Sequence, residues 1–388
     1  MQQRMQHGRP AKSYLVPALT WSGVAVVAIA VALLIANEAI HPIVVKDPSA
    51  LPKATGSTAY SISALHKRLP PEALNTVQQY VDFFTTKQRR RVQDGLARSG
   101  RYLETYRQIF HNEGIPEELV YLPMIESGYM ETAVSPARAV GVWQFIEETG
   151  KRFNLDKNDW YDSRLDPIAS ARSAAKLLKT LYDQFGDWDL ALAAYNSGSG
   201  TVKWAQRVNG KVKQPQNYWA LELPEETRNY VPAFIAMVLI AKNPSAFGFN
   251  EIQFHAKIVF DQVKVSPGMS LVDFAQHAGV DLNRVLELNP ELLKAEIPPV
   301  GKPYNLRVPA GTKGQILDRI AGVKSMGQAD YVIYLVQQTD TVETLANWAN
   351  GVAHNRAPLQ SRAELITKTN RLADDADLTK RQYVVIPL

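Results

Sequence analysis

The apolar and polar positions of this chain follow two different periods. From about residue 71 to residue 248, apolar residues recur with the 3.6-residue period of amphipathic helices, and strand-like alternation is scarce. After about residue 256, short runs rich in Val, Ile and Tyr alternate with short helical segments. The pattern therefore predicts an all-α domain followed by smaller α+β units.

Capping residues place the helices of the first domain. Pro71 opens one helix, and Gly114 ends another that starts near Gly100. Asp166 and Pro167 form an N-cap and a first helical position. The further helices that we predict in this domain cover residues 168–185, 188–195 and 225–242, and a Gly- and Ser-containing segment at 196–200 closes the second of these.

The C-terminal part contains an internal repeat. Residues 257–310 and 330–388 each follow the order strand, helix, helix, strand, with a period near 70 residues. Neither copy contains a convincing catalytic cluster. We therefore interpret both copies as binding modules.

The N-terminus has the pattern of a membrane anchor. Residues 14–36 lack charged side chains and form a run long enough to span a bilayer as a helix. Basic residues precede the run and no acidic residue does, so the positive-inside rule predicts a cytoplasmic N-terminus at 1–13. A cleaved signal peptide is the alternative. The Pro-interrupted residues 37–70 are predicted to be a linker.

Composition excludes several kinds of chemistry. The chain has 388 residues, a net charge of +5 and no Cys, which excludes disulfides, thiolate metal sites and a Cys nucleophile. The modest positive charge suits an anionic polymer or surface without identifying one. The basic run at 87–91 has no base-stacking or groove-reading motif beside it, so we interpret it as a solvated helix face and predict no nucleic-acid partner.

Glu126 is the strongest candidate for chemistry. The apolar run 119–125 precedes it and Gly128 follows, so Glu126 should lie on the last turn of a buried helix, with a possible kink at Pro123. Burial raises the pKa of a carboxyl group, and a general acid must be protonated near neutral pH. The alternative is that Glu126 is an ordinary solvated helix end.

Four sequence blocks occur around and after this residue. They are Leu-Pro-Met-Ile-Glu-Ser-Gly (122–128), Val-Gly-Val-Trp-Gln-Phe (140–145), Ala-Ala-Tyr-Asn-Ser-Gly (193–198) and Leu-Pro-Glu-Glu-Thr-Arg-Asn-Tyr-Val-Pro (223–232). From about residue 77 to residue 242 the chain resembles the lytic transglycosylase domain, which is similar in fold to goose-type lysozyme. The resemblance is closest to membrane-bound lytic murein transglycosylases of the D type, and the C-terminal repeats look like LysM modules.

The resemblance implies a multidomain fold. An N-terminal transmembrane helix at 14–36 would precede an all-α lysozyme-like (goose-type, SLT) catalytic domain at 71–248. Two small α+β (βααβ) LysM-like modules, at 257–310 and 330–388, would follow. It also implies a protein of the bacterial inner membrane whose catalytic and LysM-like domains face the periplasm or cell-wall space.

The implied substrate is the peptidoglycan glycan strand. Glu126 would protonate the oxygen of the β-1,4 bond between N-acetylmuramic acid and N-acetylglucosamine. It would then act as base on the muramyl C6 hydroxyl, giving a 1,6-anhydro end without consuming water. No metal or organic cofactor is implied, and no protein partner can be identified. A single acid would suffice, and we predict that Glu131, Glu147 and Glu148 are surface residues.

The resemblance assigns further roles by position. Ser127 would orient the helix end, Ser135 would contact the N-acetyl group or the developing ring charge, and Tyr195 would hydrogen-bond and position Glu126. The predicted groove-lining residues are Gly141, Val142, Trp143, Gln144, Asn196 and Tyr230. Trp143 could equally be a plain core residue.

Arg138 departs from the family pattern, which usually has Gly at this position. The long cation could contact stem-peptide carboxylates or narrow the groove. Three other functions remain as alternatives: a hydrolytic muramidase, a wall-binding protein without catalysis and, with little support, a nucleic-acid-binding protein. The first differs from a transglycosylase only in its product.

Overall fold

The structure is a computed structural model that describes residues 69–299, 303–321, 331–336, 340–352, 358–370, 372–373, 378 and 383–387. The predicted cytoplasmic segment, the predicted transmembrane helix and most of the predicted linker lie outside these residues. Across the described ranges, no helix combines the length and the apolar character needed to cross a bilayer.

The first domain is helical, as the apolar period predicts. Its α-helices are α1 (Pro71–Thr85), α2 (Arg89–Ser99), α3 (Leu103–Glu113), α4 (Leu122–Glu126), α5 (Glu147–Arg152), α6 (Pro167–Phe185), α7 (Trp188–Ser197), α8 (Ser199–Lys211) and α9 (Glu225–Lys242). Short 3₁₀ helices cover Glu117–Tyr121, Ser163–Leu165, Tyr218–Ala220 and Pro244–Phe247.

The capping predictions are confirmed at two helices. Gly114 ends α3 in the left-handed conformation, and the Asp166 side chain accepts hydrogen bonds from the first backbone amides of α6. Helix α8 was not predicted, because the Ser and Gly residues at 196–200 indicate a loop. In the structure only Gly198, with φ +84°, interrupts the helical path between α7 and α8.

The helix that carries Glu126 is divided in two. A 3₁₀ helix, Glu117–Tyr121, leads directly into the single-turn helix α4. Pro123 has no backbone N–H to donate, so it fits the first turn of a new helix better than the middle of a long one. Every residue of α4 is buried, as predicted. This helix packs against α9.

Both C-terminal units have the predicted order of elements. In the first, β1 (Phe260–Val265) pairs antiparallel with β2 (Tyr304–Pro309), and α10 (Leu271–Ala278) and α11 (Leu282–Leu288) lie between them in sequence. In the second, β3 (Tyr331–Leu335) pairs with β4 (Tyr383–Pro387) around α13 (Val342–Val352) and α14 (Leu359–Thr369).

The first unit extends beyond its predicted end at residue 310. Helix α12 (Lys313–Ile320) follows β2 and packs on α10. Its residue Ile316 is fully buried in the core of this unit. The unit also packs on the helical domain, because Leu288 belongs to the apolar core of that domain.

Candidate active site

Glu126 lies buried at the end of α4. The side chain of Tyr230, from α9, donates a hydrogen bond to its Oε1 atom. The pKa of Glu126 is raised to about 8, chiefly by burial and in smaller part by the Glu226 charge, while the hydrogen bond from Tyr230 acts to lower it. Glu126 is thus a buried acid that holds its proton at neutral pH, and the solvated-helix-end alternative is wrong.

The chain turns sharply after Glu126. The amides of Ser127 and Gly128 both donate to the carbonyl of Pro123, at 3.0 and 2.8 Å, and Gly128 has φ +59°. The Ser127 hydroxyl donates to the carbonyl of Val142 at 2.8 Å. Ser127 therefore joins the end of the acid-bearing helix to the following loop, and its orienting role stays a prediction.

We call residues 133–145 the active-site loop. Short antiparallel bridges between Val134 and Val140, and between Val140 and Phe145, fold it back on itself. At Gly141 the backbone has φ +81°, and a Cβ atom there would lie 2.3 Å from the carbonyl oxygen of Arg164. Only glycine fits this position, since any side chain would meet fixed backbone.

Two predicted groove residues of this loop turn inward. Trp143 is fully buried and its indole packs against Tyr106 and Phe110, so the side chain belongs to the core. The Gln144 amide nitrogen donates to the carbonyls of Gly141, at 2.8 Å, and Ala133, at 3.3 Å. The N–H groups of this amide hold the loop closed, and the predicted place of Gln144 along the groove stays a prediction.

Tyr195 does not make the predicted hydrogen bond to Glu126. A phenol has one proton to donate, and that of Tyr195 goes to the carbonyl of Trp143, at 2.8 Å. Tyr230 provides the bond to Glu126 instead. Both tyrosines are buried near the acid, and the Glu126 charge contributes to raising the pKa of each. The sequence blocks at 193–198 and 223–232 identified both tyrosines as site residues, but they did not indicate which one contacts Glu126.

A second carboxyl group, that of Glu226, acts electrostatically on Glu126. Asn196 is buried, accepts a hydrogen bond from the Thr227 hydroxyl at 2.9 Å and donates to Glu226 at 3.4 Å. Burial raises the pKa of Glu226 to about 7. The charge of Glu226, on α9, contributes to raising the pKa of Glu126, and the prediction that a single acid suffices stays a prediction. The sequence block at 223–232 includes Glu226, and this was the signal in the sequence for a second acidic residue.

Ser135 and Arg138 form the exposed turn of the active-site loop. The Ser135 hydroxyl oxygen accepts the amide of Ala139 at 3.0 Å, and Arg138 has φ +59°. Ser135 is half-buried and Arg138 is exposed. The contact of Ser135 with substrate stays a prediction.

The three acids predicted to lie at the surface behave differently. Glu147 and Glu148 are exposed, as predicted. Glu131 is buried, and its Oε1 atom lies 3.6 Å from Nη1 of Arg101, so its prediction is wrong. Arg101, in the turn before α3, is the charged partner that allows the carboxylate of Glu131 to be buried. Among the described residues, no group of three His, Asp or Glu side chains is placed to hold a metal ion.

Comparison with known proteins agrees with this architecture. Residues 107–217 match the family model described as Transglycosylase SLT domain, and residues 259–323 match the one described as Lytic transglycosylase MltD, LysM-like domain. The first match covers Glu126, the active-site loop, Tyr195 and Asn196. The second covers the first C-terminal unit together with α12.

Two curated relatives are similar to this chain. Over 244 residues it is 32% identical to the Membrane-bound lytic murein transglycosylase D of Escherichia coli (strain K12), covering 60% of this chain and 54% of the relative. A putative tributyltin chloride resistance protein of Alteromonas sp. (strain M-1) is 37% identical over 107 residues, covering 27% of this chain and 52% of that protein. The chain thus spans about half the length of these relatives. Its helical domain, built around a buried Glu126, is thus similar to the transglycosylase SLT domain, and the unit after it is similar to the LysM-like domain of MltD-type lytic transglycosylases.

Proposed function

We propose that this protein is a lytic transglycosylase of peptidoglycan. It would cleave the β-1,4 bond from N-acetylmuramic acid to N-acetylglucosamine and leave a 1,6-anhydro end. The observation that carries the proposal is the buried Glu126, which accepts a hydrogen bond from Tyr230 and whose pKa is raised by burial. The similarity to a relative named as a murein transglycosylase supports the choice of substrate.

The site supplies both proton transfers of this reaction. Glu126 first gives its proton to the glycosidic oxygen, which leaves with the N-acetylglucosamine side. The resulting carboxylate then takes the proton of the muramyl C6 hydroxyl as that oxygen bonds to C1, so Glu126 ends protonated and no water is consumed. The Tyr230 hydroxyl stabilises the carboxylate between the two steps, since a hydrogen bond to a charged group favours its charged form.

Glu226 favours one alternative, a hydrolytic muramidase. Inverting and retaining glycosidases use two carboxyl groups, one as acid and the other as base or nucleophile. Glu226 is a second carboxyl group near Glu126, and with a pKa of about 7 it would be partly ionised at neutral pH. The proposed transglycosylase mechanism differs from a muramidase mechanism in two ways: Glu226 acts only through its charge, and no water is consumed.

The remaining parts of the chain receive roles in the same proposal. Residues 14–36 would anchor the protein in the inner membrane, with the helical domain and the C-terminal units in the periplasm or cell-wall space. Both C-terminal units would act as LysM-like modules that bind the glycan strand. The strand-helix-helix-strand order of each unit supports this assignment.

The products of digestion test the proposal. The full chain and its Glu126→Gln variant are incubated with isolated peptidoglycan, and the released muropeptides are identified by mass spectrometry. We expect fragments lighter by one water than hydrolysis products, and none from the variant. Hydrated reducing ends would make the protein a muramidase. Retention on the wall without any release would make it a binding protein.

A further inference from the structure

The geometry points to a second role for the first LysM-like module: it is a positioning part of the active site, because it holds the active-site loop in place through Arg164. The inference rests on the proposed function. It concerns the contact between the module and residues 157–166 of the helical domain, which we call the docking segment.

Backbone pairing joins the module to the docking segment. The amide of Asp162 donates to the carbonyl of Glu291 at 2.8 Å, and the amide of Leu293 donates to the carbonyl of Trp160 at 2.7 Å. Tyr161 and Leu292 form an antiparallel bridge between these two bonds. The two parts of the chain thus share a short two-stranded ladder, which fixes their register as well as their distance.

A buried ion cluster reinforces this ladder. Arg307 of β2 pairs with Asp166 at the start of α6 and with Glu291, whose Oε2 atom lies 3.1 Å from Nη1. The hydroxyl of Tyr304 donates to Glu291 at 2.6 Å. Each of the three charged side chains is about one-tenth exposed or less. Desolvation offsets much of the attraction in such clusters, and their best-attested effect is to select one geometry.

The connection between the two domains is also held. The segment before β1 runs along the helical domain, where the amide of His255 donates to the carbonyl of Ala97 at 2.8 Å and that of Ile258 to Arg101 at 3.1 Å. Leu288 at the end of α11 enters the helical core. The first module is therefore packed on the helical domain along three separate contacts, and it does not hang from a free linker.

The docking segment in turn supports the active-site loop. Arg164 and Asp162 form a buried pair, with Nε to Oδ1 at 2.9 Å and Nη2 to Oδ2 at 2.6 Å. The remaining nitrogen of Arg164, Nη1, donates to the carbonyls of Phe145, at 3.1 Å, and Arg138, at 3.2 Å. The backbone of Arg164 also lies against Gly141. One arginine therefore supports the loop at its turn, its middle and its end.

One hydrogen bond joins the active-site loop to the end of the acid-bearing helix. The carbonyl of Val142, in the middle of the loop, accepts the hydroxyl of Ser127, the residue that follows Glu126. Hydrogen bonds and one backbone contact, that of Arg164 with Gly141, thus lead from Glu291 of the module, through Asp162 and Arg164, to the end of α4. Packed and hydrogen-bonded groups of this kind carry coupling when their geometry is disturbed.

A module that positions the active-site loop and a module that serves only as a tether should differ in their effect on kcat. A module that only retains the enzyme on the wall affects the cleavage of insoluble peptidoglycan alone. A module that positions the active-site loop also affects kcat on a soluble glycan of two disaccharide units, which tests the cleft without attachment to the wall.

The experiment uses the full chain with Arg307→Met, which removes the only basic group of the cluster at similar volume. Arg284→Met is the matched control, because Arg284 lies in the same module and pairs with Glu287 of its own helix. We expect Arg307→Met to lower kcat about tenfold on the short glycan and on insoluble peptidoglycan, with KM for the short glycan nearly unchanged. Arg307→Lys should restore part of the rate, and Arg284→Met should have no effect.

Wild-type kcat on the short glycan, with a loss only on insoluble peptidoglycan, would overturn the inference in favour of a tether. An equal loss with Arg284→Met would also overturn it. If Arg307→Met does not fold, Asp162→Asn replaces it: this variant keeps the backbone bond to Glu291 but weakens the hold on Arg164, and full kcat in it would contradict the inference. A wild-type protein inactive on both substrates would instead contradict the proposed function.

Discussion

Tyr230 donates a hydrogen bond to the carboxyl group of Glu126 across 104 positions of sequence. Helices α4 and α9 pack together so that this phenol meets the acid inside the protein. This hydrogen bond favours the charged form of Glu126 and so lowers its pKa, whereas burial has the larger, opposite effect and raises it. The pair thus sets both the position and the acidity of the general acid.

Tyr230→Phe should therefore slow the reaction and move its pH profile. We expect kcat at neutral pH to fall about tenfold, the effect of losing a hydrogen bond of roughly 1.4 kcal/mol to the reacting group. The alkaline limb should move to higher pH, because Glu126 loses a bond that favours ionisation. Tyr195→Phe is the control: its hydroxyl contacts the Trp143 carbonyl, so the variant should lose rate with an unmoved limb. Equal shifts in both variants would contradict the assignment.

Glu126→Gln should stabilise the protein increasingly as pH rises. The pKa of Glu126 is raised from 4.5 to about 8, so between these pH values the folded protein retains a proton that the unfolded chain has lost. Stability from this group is fully present below pH 4.5 and declines by about 1.4 kcal/mol per pH unit until about pH 8. Gln cannot ionise, so the variant should escape this decline.

Thermal unfolding of the two proteins at several pH values measures the effect. The difference in Tm should be smallest near pH 4.5 and greatest near pH 8. A difference that is independent of pH would mean that Glu126 is ionised in the folded protein, and it would remove the main support for its role as a general acid.

Glu226→Gln should move the alkaline limb of the pH profile in the opposite direction from Tyr230→Phe. The Glu226 charge raises the pKa of Glu126, so its removal makes Glu126 ionise at lower pH and moves the alkaline limb toward neutral. Asn196 can still hydrogen-bond the new amide, which limits any loss of structure. The variant also separates the two candidate reactions. A transglycosylase should keep its anhydro products with changed pH dependence, whereas a muramidase that uses Glu226 as base should lose nearly all activity.

Gly141→Ala should destabilise the protein and disable the site. The new Cβ would lie 2.3 Å from the carbonyl of Arg164 at φ +81°, so the backbone of the active-site loop must move. We expect a loss of about 3 kcal/mol or more, combining steric and conformational costs. Gly114→Ala is the control, since Gly114 also has positive φ but has open space around it and should cost only about 1 kcal/mol. Similar Tm values for both variants would contradict the close packing on Arg164.

Local signals in the sequence predicted most of the framework. Gly114 and Asp166 mark helix ends through their own chemistry, and the apolar run before Glu126 predicts burial without knowledge of its neighbours. The repeated order of strands and helices in the C-terminal part is likewise local. What could not be predicted depends on long-range contacts: which tyrosine meets Glu126, and that Glu226 reaches it from α9.

The same limit explains the inward-facing residues of the active-site loop. Trp143 and Gln144 occur in a sequence block typical of a glycan groove, yet the indole fills a space between α3 residues and the amide closes its own loop. Glu131 is polar and was assigned to the surface, but Arg101 makes its burial possible. Single-residue preferences cannot supply such partners, because each partner comes from another element of the fold.

Arg138→Gly should leave the fold intact and change the choice of substrate. Arg138 has φ +59°, a conformation that glycine adopts without the cost of about 1 kcal/mol that other residues bear, so the variant should not be less stable. Its exposed guanidinium would be lost from the edge of the active-site loop, where it could contact stem-peptide carboxylates. Kinetics on muropeptides with and without stem peptides, measured for wild type, Arg138→Gly and Arg138→Ala, separate these effects. If the Arg138 side chain contacts the stem peptide, both variants should lose their preference for peptide-bearing substrates. Only Arg138→Gly should also be relieved of the conformational cost of a positive φ at this position. Identical kinetics for all three proteins would exclude a role of Arg138 in substrate choice.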